Sequence, residues 1–469
     1  MRQARPLPLL SRYHSGMLIV KTKAAAATVP MGGVMTSAFT PRSHGLLALD
    51  FYERSGRLRR VRPLYRHATL KPHVASFAGL LDLTTVVRTP EDPLNGVSMI
   101  EIDNDANVDE LRSALALDPT VESVSRVPVR YLVAGSSPTI VEAIPPPASK
   151  LWNLAKIDWA QARSAAGFED AVDMNVAVLD TGVDGSHPDL QGRVVQYTHG
   201  YPDLGVSASD QDIVGHGTHV SGIISALINN NIGINGICQC RLNIWKIFSD
   251  TPEYIPEYNE FTYVVDSALY LRALADCVQQ HMSAINLSIG GGMPPDPSEA
   301  SLFQQLVSNG TAVVAAMGND RQSGSPTSYP AAIPGVIAVG STGLDDSVSV
   351  FSNAGPHICL AAPGEGIWST LPTYPGQTGF QVVAGPGGQP SPGAPIPRDT
   401  DYASWDGTSM ATPHVTGSVA LYLVRHPGTG PDAMKTALQL GADKVPGMNG
   451  AAFSVDYGAG RLNLETLLQ

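Results

Sequence analysis

Short apolar runs alternate with helical patterns from residue 151 to the end of the chain. The runs lie at 174–179, 242–248, 284–288, 311–316 and 335–339, and helical stripes at 263–280 and 298–309 separate several of them. Apolar runs linked by helices are typical of parallel strands that are buried on both faces. The pattern therefore predicts a doubly wound, mostly parallel α/β sheet over residues 150–469. Ligand sites in such sheets form where loops leave the carboxyl ends of the strands.

The pattern before residue 134 predicts a separate, small α+β unit over residues 1–133. Its strand-like runs lie at 16–23, 98–103 and 121–133, and a basic stretch over 24–97 has little pattern. Asn107 and Glu110 have the spacing of a capping box and precede a helical apolar stripe. Three consecutive prolines within residues 134–149 predict an extended linker.

Charge is distributed unevenly along the 469 residues. The net charge is −12, but residues 1–72 carry +11 and residues 150–469 carry −16. A basic leader is compatible with a nucleic-acid or membrane patch, a targeting peptide, a solvated surface, or a segment that docks on the acidic remainder. No apolar run reaches the ~18 residues of a transmembrane helix, and none near the start has the ~7–15 residues of a signal peptide.

Three polar motifs fall where loops of such a sheet are expected. Asp180 ends the first apolar run, His216 begins a helical pattern in Gly-His-Gly-Thr-His, and Ser409 begins another in Gly-Thr-Ser-Met-Ala-Thr-Pro. These are the residue types of a hydroxyl nucleophile, its base and the anion that orients the base. A serine at a helix start also has main-chain N–H groups nearby for developing negative charge. Pro413 fits this helix if it lies in the first turn.

Two other chemistries share parts of these motifs. An aspartic-protease mechanism requires a second Asp-Thr/Ser-Gly triplet, and the chain has only the one at Asp180. Metal binding by His216 and His219 lacks the glutamate of a His-Glu-x-x-His motif. The sequence therefore favours serine chemistry.

Together, and in this order, the three motifs resemble those of the subtilisin-like serine proteases, over essentially all of residues 151–469. The resemblance implies a serine endopeptidase in which Asp180 orients the imidazole, His216 acts as base and then acid, and Ser409 attacks the scissile carbonyl. Asn319, in Met-Gly-Asn after an apolar run, resembles the family's oxyanion donor. The alternative is a catalytically silent protein, or a peptidase with narrow processing specificity, on the same fold.

The resemblance also implies substrate contacts. Ser288, Ile289 and Gly290 resemble the strand at the pocket edge, which pairs with an extended peptide. Ser328 falls at the pocket base and would make the pocket shallow. Asp320 falls near the rim, where an acid would favour a basic substrate residue.

A structural calcium ion is implied by the same resemblance. The candidate ligands are Asp189 and the loop residues Ile228, Asn230, Ile232 and Ile234. Carboxylate, amide and main-chain oxygens suit a hard cation. The alternative is an Asn-Gly-rich turn that holds no metal.

The region before residue 151 resembles a propeptide that acts as intramolecular inhibitor and chaperone, removed by a cut between about residues 131 and 149. Polypeptides and the propeptide are then the expected partners, with no nucleic acid or membrane and a monomeric state, and family resemblance favours secretion. Residues 372–398 are an insertion that could be a rim loop or a disordered surface loop. Four cysteines allow one bridge, such as Cys240 to Cys277, or none.

Overall fold

The computed structural model describes residues 12–23, 46–65, 92–103, 107–132, 151–256 and 259–469. The predicted linker at 134–149 and most of the basic stretch 24–97 lie outside the described residues. Within the described residues, no helix is long and apolar enough to cross a bilayer.

The N-terminal part is a four-stranded antiparallel sheet in the order β2-β3-β1-β4. Its elements are β1 (Tyr13–Thr22), α1 (Leu47–Arg54), β2 (Leu58–Pro63), β3 (Val97–Ile102), α2 (Val108–Ala116), β4 (Val121–Pro128) and β5 (Tyr131–Leu132). Alternate residues of a strand face opposite sides, so Leu18 and Val20 pack on α1 and α2. Ile19 belongs instead to the apolar cluster that contains two helices of the C-terminal part, α6 (Ser267–Gln280) and α7 (Pro297–Ser308). The predicted α+β pattern is present here, whereas the domain boundaries stay a prediction.

The predicted capping box at Asn107 is wrong. Asn107 already has helical backbone angles, and its side chain makes no capping bond to α2. An N-cap residue needs an extended backbone to turn its side chain onto the first free N–H groups.

The C-terminal part is built on seven parallel strands in the order β17-β16-β15-β13-β6-β10-β7. This confirms the predicted doubly wound, mostly parallel sheet. The sheet strands are β6 (Asn175–Asp180), β7 (Val194–Thr198), β10 (Arg241–Lys246), β13 (Ala284–Leu287), β15 (Ala312–Ala316), β16 (Ile337–Thr342) and β17 (Ile358–Pro363). The helices are α3 (Trp152–Lys156), α4 (Trp159–Ser164), α5 (His216–Ser225), α6 (Ser267–Gln280), α7 (Pro297–Ser308), α8 (Thr408–Arg425), α9 (Pro431–Leu440) and α10 (Leu464–Leu467).

Shorter strands lie around this sheet. They are β8 (Gly200–Tyr201), β9 (Val206–Ser207), β11 (Glu253–Ile255), β12 (Glu260–Thr262), β14 (Ile289–Gly290), β18 (Ile367–Thr370), β19 (Gln377–Ala384), β20 (Pro390–Pro397) and β21 (Tyr402–Trp405). β14 pairs with β5 of the N-terminal part, and β18 pairs with β21.

The insertion at 372–398 is an ordered hairpin, so the disordered-loop alternative is wrong. β19 pairs with β20 and also with β12, which extends a four-stranded sheet in the order β11-β12-β19-β20. Strand pairing satisfies main-chain groups that a free loop would leave to water.

The suggested bridge between Cys240 and Cys277 is absent. All four cysteines are buried free thiols. Cys240 belongs to the apolar cluster of α5 and α8, and Cys277 to the cluster of α6 and α7. The two side chains therefore lie in different layers of the core, and a disulfide needs Cβ atoms about 4 Å apart.

The contact between the two parts is mainly apolar. Ile19, Leu94 and Met99 join the cluster of α6 and α7. Two of the three arginines of β2 pair with acids of the neighbouring strand and its end, Arg59 with Asp103 and Arg62 with Glu101. Among the described residues, buried ion pairs between the parts run in both senses: Arg130 of the N-terminal part bonds Glu299, and Asp92 of that part bonds Arg272. These residues therefore do not dock as a basic segment on an acidic domain.

Candidate active site

Asp180 and His216 are joined by a short hydrogen bond at the carboxyl end of β6. His216, the first residue of α5, has its Nδ1 2.7 Å from Asp180 Oδ1, and both side chains are fully buried. Thr181 N also donates to that oxygen, at 2.7 Å. Among the described residues, His216 Nε2 has no hydrogen-bond partner. With Nδ1 as the donor to a carboxylate, the lone pair of Nε2 is left to accept a proton.

Asp212, which the sequence reasoning missed, holds the start of the histidine helix. Its Oδ1 accepts from Thr181 Oγ1 (2.7 Å) and Gly215 N (2.8 Å), and its Oδ2 accepts from Thr218 N (2.9 Å) and Thr218 Oγ1 (2.6 Å). The Asp180 loop and α5 are thus joined through one buried carboxylate. The signal in the sequence was an acid four residues before His216, which suits the positive end of a helix.

Ser409 is the second residue of α8, and it is joined to Ser288 by two hydrogen bonds. Ser409 Oγ donates to the carbonyl of Ser288 (3.1 Å), and Ser288 Oγ donates to the carbonyl of Ser409 (3.0 Å). The expectation that Pro413 lies in the first turn is wrong, because it is the sixth residue of the helix. Proline has no N–H for the carbonyl four residues earlier, which is that of Ser409. The Ser288 hydroxyl supplies the missing donor.

Asn319 follows β15 and is held by Thr408. Its Oδ1 accepts from Thr408 N (3.0 Å) and Thr408 Oγ1 (2.9 Å). Thr408 Oγ1 lies 3.2 Å from Gly318 N and can accept its proton. Because the amide oxygen accepts both bonds, Nδ2 is the atom of Asn319 that can donate to another group.

Trp405 lies against both histidines of the helical motif. His219 stacks on its ring at 4.9 Å with an 8° interplanar angle, and the His216 ring is 6.0 Å away. Burial, and then the nearby His216, lowers the pKa of His219 to about 3. Among the described residues, no cluster of three or more His, Cys, Asp or Glu side chains could hold a metal.

β14, the strand predicted to border the substrate pocket, pairs with the chain's own N-terminal part. Ile289 pairs with Leu132 and Gly290 with Tyr131 in an antiparallel register. From the other side, Val265 N donates to the carbonyl of Arg130 (3.0 Å). An extended segment of the N-terminal part therefore lies between two catalytic-domain segments.

The two pocket residues differ in part from expectation. Asp320 is 3% exposed, so it is not an exposed rim acid. Burial raises its pKa to about 7, and its N–H donates to Asn353 Oδ1 (2.7 Å). Ser328 is fully buried near Gly318, and within the described residues its hydroxyl has no partner; its place at the pocket base stays a prediction.

Of the predicted calcium ligands, Asn230 and Ile234 contact Asp189, whereas Ile228 and Ile232 stay a prediction. Asn230 Nδ2 donates to Oδ1 (2.7 Å), and Ile234 N (2.8 Å) and the Tyr402 hydroxyl (3.2 Å) donate to Oδ2. Positive φ angles at Asn229, Asn231 and Gly233 wrap the loop around this carboxylate. Burial raises the pKa of Asp189, which is the penalty a cation would offset. In this arrangement Asn230 and Ile234 present N–H groups to Asp189, and Asn230 Oδ1 accepts from Ile232 N (3.2 Å). A cation here would require the Asn230 amide to turn its oxygen towards Asp189, since a hard cation takes carboxylate, amide and carbonyl oxygens.

The sheet and its flanking helices make the chain an α/β protein. Asp180 and Asn319 follow the parallel strands β6 and β15, and His216 and Ser409 lie at the starts of α5 and α8. The chain belongs to the Subtilase family, whose sequence model matches residues 173–460. It is similar to a subtilisin of Bacillus pumilus, with 33% identity over 320 residues that cover 66% of this chain and 96% of that protein. It is also similar to thermitase of Thermoactinomyces vulgaris, with 32% identity over 294 residues covering 61% of this chain and 87% of that protein.

A solved structure shows the same fold. Fervidolysin from Fervidobacterium pennivorans, described as a keratinolytic enzyme related to subtilisin, aligns with a TM-score of 0.62 and 22% identity over 100% of this chain and 64% of that chain. At this identity the likeness concerns the fold alone. Together with the family membership, it makes the chain a subtilisin-like serine endopeptidase.

Proposed function

We propose that this endopeptidase hydrolyses peptide bonds through Asp180, His216 and Ser409, with Asn319 as the oxyanion donor. The observation that carries the proposal is the 2.7 Å bond from His216 Nδ1 to Asp180 Oδ1, which leaves Nε2 as the base. The catalytically silent alternative would have no need of this buried, oriented pair.

In the proposed mechanism, the Ser409 hydroxyl turns from the carbonyl of Ser288 to His216 Nε2 and attacks the scissile carbonyl as its proton passes to Nε2. Asp180 keeps Nδ1 as the donor and stabilises the imidazolium. The tetrahedral oxyanion accepts from Asn319 Nδ2 and from the main-chain N–H of Ser409 at the start of α8. His216 then protonates the leaving amine, and a water molecule, activated by the same base, hydrolyses the acyl-enzyme.

We also propose that the chain is a zymogen that cuts itself. β5 pairs with β14 as an extended peptide substrate would, and the nucleophile donates to Ser288, the residue just before β14. Within the described residues this pairing reaches Leu132, so we propose that the first cut falls after Leu132, within the 131–149 range. Before release, the same segment would block the cleft as an inhibitor.

The hairpin of residues 372–398 favours a second candidate function, that of a peptidase with a narrow range of substrates. Its base is tied to the loop before His216, since Arg398 Nε donates to the carbonyl of Ile213 (3.0 Å) and Asp212 N donates to the Tyr374 hydroxyl (2.8 Å). A wall fixed in this way would limit bulky folded substrates. The test is to digest an unstructured protein and identify the cleaved bonds. Cleavage at many unrelated sequences would rule out a narrow sequence specificity.

The test of the main proposal is intact mass of the purified wild-type chain beside Ser409→Ala. The wild type should lose about 15 kDa from its N-terminus, scaled from 49.4 kDa for 469 residues. Ser409→Ala should remain whole because it has no nucleophile. Identical cutting of both proteins would refute self-processing, and activity of Ser409→Ala on added peptides would refute the triad.

A further inference from the structure

Arg130 is buried in an acidic pocket of the catalytic domain, although it belongs to the N-terminal part. It is 1% exposed, and its guanidinium makes two bonds to Glu299, from Nη2 to Oε2 (2.9 Å) and from Nε to Oε1 (3.3 Å). Nη1 donates to the carbonyl of Met293 (2.8 Å). Because the planar guanidinium binds both a carboxylate and a carbonyl, the pocket recognises its shape as well as its charge.

The pocket is continuous with the substrate path. Arg130 directly precedes Tyr131, which pairs with Gly290, and Val265 N holds the carbonyl of Arg130. A Cβ on Gly291 would lie 2.4 Å from the carbonyl oxygen of Val129 and 3.1 Å from Arg130 Nη1. Gly291, which has no side chain, thus leaves room for the peptide to pass into the pocket.

The carboxylate of Glu299 stays in the mature enzyme when the N-terminal part leaves. Glu299 is 2% exposed, and the Tyr270 hydroxyl donates to its Oε1 (3.0 Å). Burial, and then the nearby Glu299, raises the pKa of Asp296 to about 7. Burial alone would lower the pKa of Arg130, but Glu299 and then Tyr270 hold it above its ordinary value. Among the described residues, the cation that pairs with Glu299 is Arg130. Its departure therefore leaves the Glu299 carboxylate without its charged partner, and another guanidinium in the same place would restore the pair.

We propose that Glu299, with Tyr270 and the carbonyl of Met293, forms a subsite that selects arginine in substrates. The selected residue is the one immediately before the substrate residue that pairs with Gly290. This rests on the proposed function, in that substrates bind in the register of β5. The same pocket would therefore recognise Arg130 during processing of the chain's own N-terminal part and an arginine at the equivalent position of other polypeptide substrates.

The test uses quenched fluorogenic peptides that reproduce residues 125–138 and differ only at position 130, as arginine, citrulline, lysine or glutamate. Citrulline keeps the shape of arginine but carries no charge, so no enzyme variant is needed for the first comparison. With wild-type enzyme prepared from the full chain, kcat/KM should be at least about 30-fold higher for arginine than for citrulline. Lysine should be intermediate because it cannot bind with a planar fork.

Two variants locate the effect. In Glu299→Gln the arginine-to-citrulline ratio should fall towards one, and in Glu299→Lys the glutamate peptide should become the better substrate. The matched control is Glu253→Gln, a half-exposed acid of β11 that lies 3.9 Å from His14, and it should keep the wild-type ratio. Thermal unfolding of each variant checks that it is folded.

A second readout is the place of the cut. When the arginine is moved by one position along an otherwise constant peptide, the cleaved bond identified by mass spectrometry should move by one. An arginine-to-citrulline ratio near one in wild type, or a cut that ignores the arginine, would overturn the subsite while leaving the endopeptidase intact. If wild type cleaves no peptide better than Ser409→Ala, the proposed function fails and the subsite with it.

Discussion

Ser288 and Ser409 exchange two hydrogen bonds across the active site, hydroxyl to carbonyl in each direction. The Ser288 hydroxyl accepts in turn from Asn286 Nδ2 (3.0 Å), and Asn286 Oδ1 accepts from Thr416 Oγ1 (2.9 Å). The helix α8, which carries the proposed nucleophile, is thereby anchored to the segment between β13 and β14. The anchor is needed because Pro413 cannot bond the carbonyl of Ser409.

Ser288→Ala should lower both stability and turnover. Loss of the hydroxyl leaves a buried carbonyl unbonded, which costs about 1–3 kcal/mol, and loosens the first turn of α8. We expect kcat to fall about tenfold with a smaller change in KM. The matched control is Ser225→Ala, since Ser225 Oγ also donates to a buried carbonyl, that of Cys240 (2.9 Å). It should lose similar stability but keep kcat, and equal effects of both variants on kcat would refute the positioning role.

Two variants should distinguish the roles of the buried acids near His216. Asp180→Asn tests the orientation of the His216 imidazole, and Asp212→Asn tests the support of α5. Asp180→Asn should lower kcat by about 10⁴, because an amide can stabilise the wrong tautomer of His216. Asp212→Asn turns one accepting oxygen into a donor that faces N–H groups, so it should lower the free energy of unfolding by about 1–3 kcal/mol and kcat only modestly. The pH profile of kcat/KM should be unchanged in Asp212→Asn. A shifted profile would show that Asp212 acts on the charge of the site itself.

His219 should make the protein less stable as pH falls from about 6.5 to 4. Its folded pKa is lowered to about 3 by burial, whereas in the unfolded chain it is near 6.5. The unfolded state therefore binds the proton first, and each pH unit below 6.5 costs up to about 1.4 kcal/mol. The buried acids Asp296 and Asp320, with pKa raised to about 7, act in the opposite sense, so the comparison must be between variants. Urea unfolding of His219→Gln across pH 4–7 should show a smaller acid loss than wild type, and parallel curves would contradict the assignment.

Chelation should destabilise the protein if the loop around Asp189 holds calcium. Saturation at about 100 times Kd adds about 2.7 kcal/mol, so EDTA should lower Tm by several degrees, and Ca²⁺ rather than Mg²⁺ should restore it. The Asp189→Asn variant should show no such difference. An unchanged Tm of the wild type after chelation would mean that the hydrogen bonds from Asn230, Ile234 and Tyr402 suffice.

Much of the candidate site could be predicted from the sequence, because strand ends and helix starts follow from short-range sequence patterns. Apolar runs predicted five of the seven sheet strands to within a few residues, whereas β7 and β17 were missed. Asp180, His216 and Ser409 lie at a strand end and two helix starts. Errors arose where a local motif competes with its surroundings. Asn107 has capping spacing but helical angles, and Pro413 lies inside a helix because a distant hydroxyl satisfies the carbonyl it leaves.

The sequence by itself determined the sheet, the order of the chemical motifs and the family to which they belong, because these depend on periodicity and short spacings. Only the tertiary structure decided that Cys240 and Cys277 lie in different layers, that residues 372–398 extend a sheet, and that Arg130 lies in the pocket of Glu299. The last pair is separated by 169 positions. Such relationships are set by which surfaces the folded chain brings together to bury apolar area and pair charge, and no local pattern in a single sequence encodes that choice.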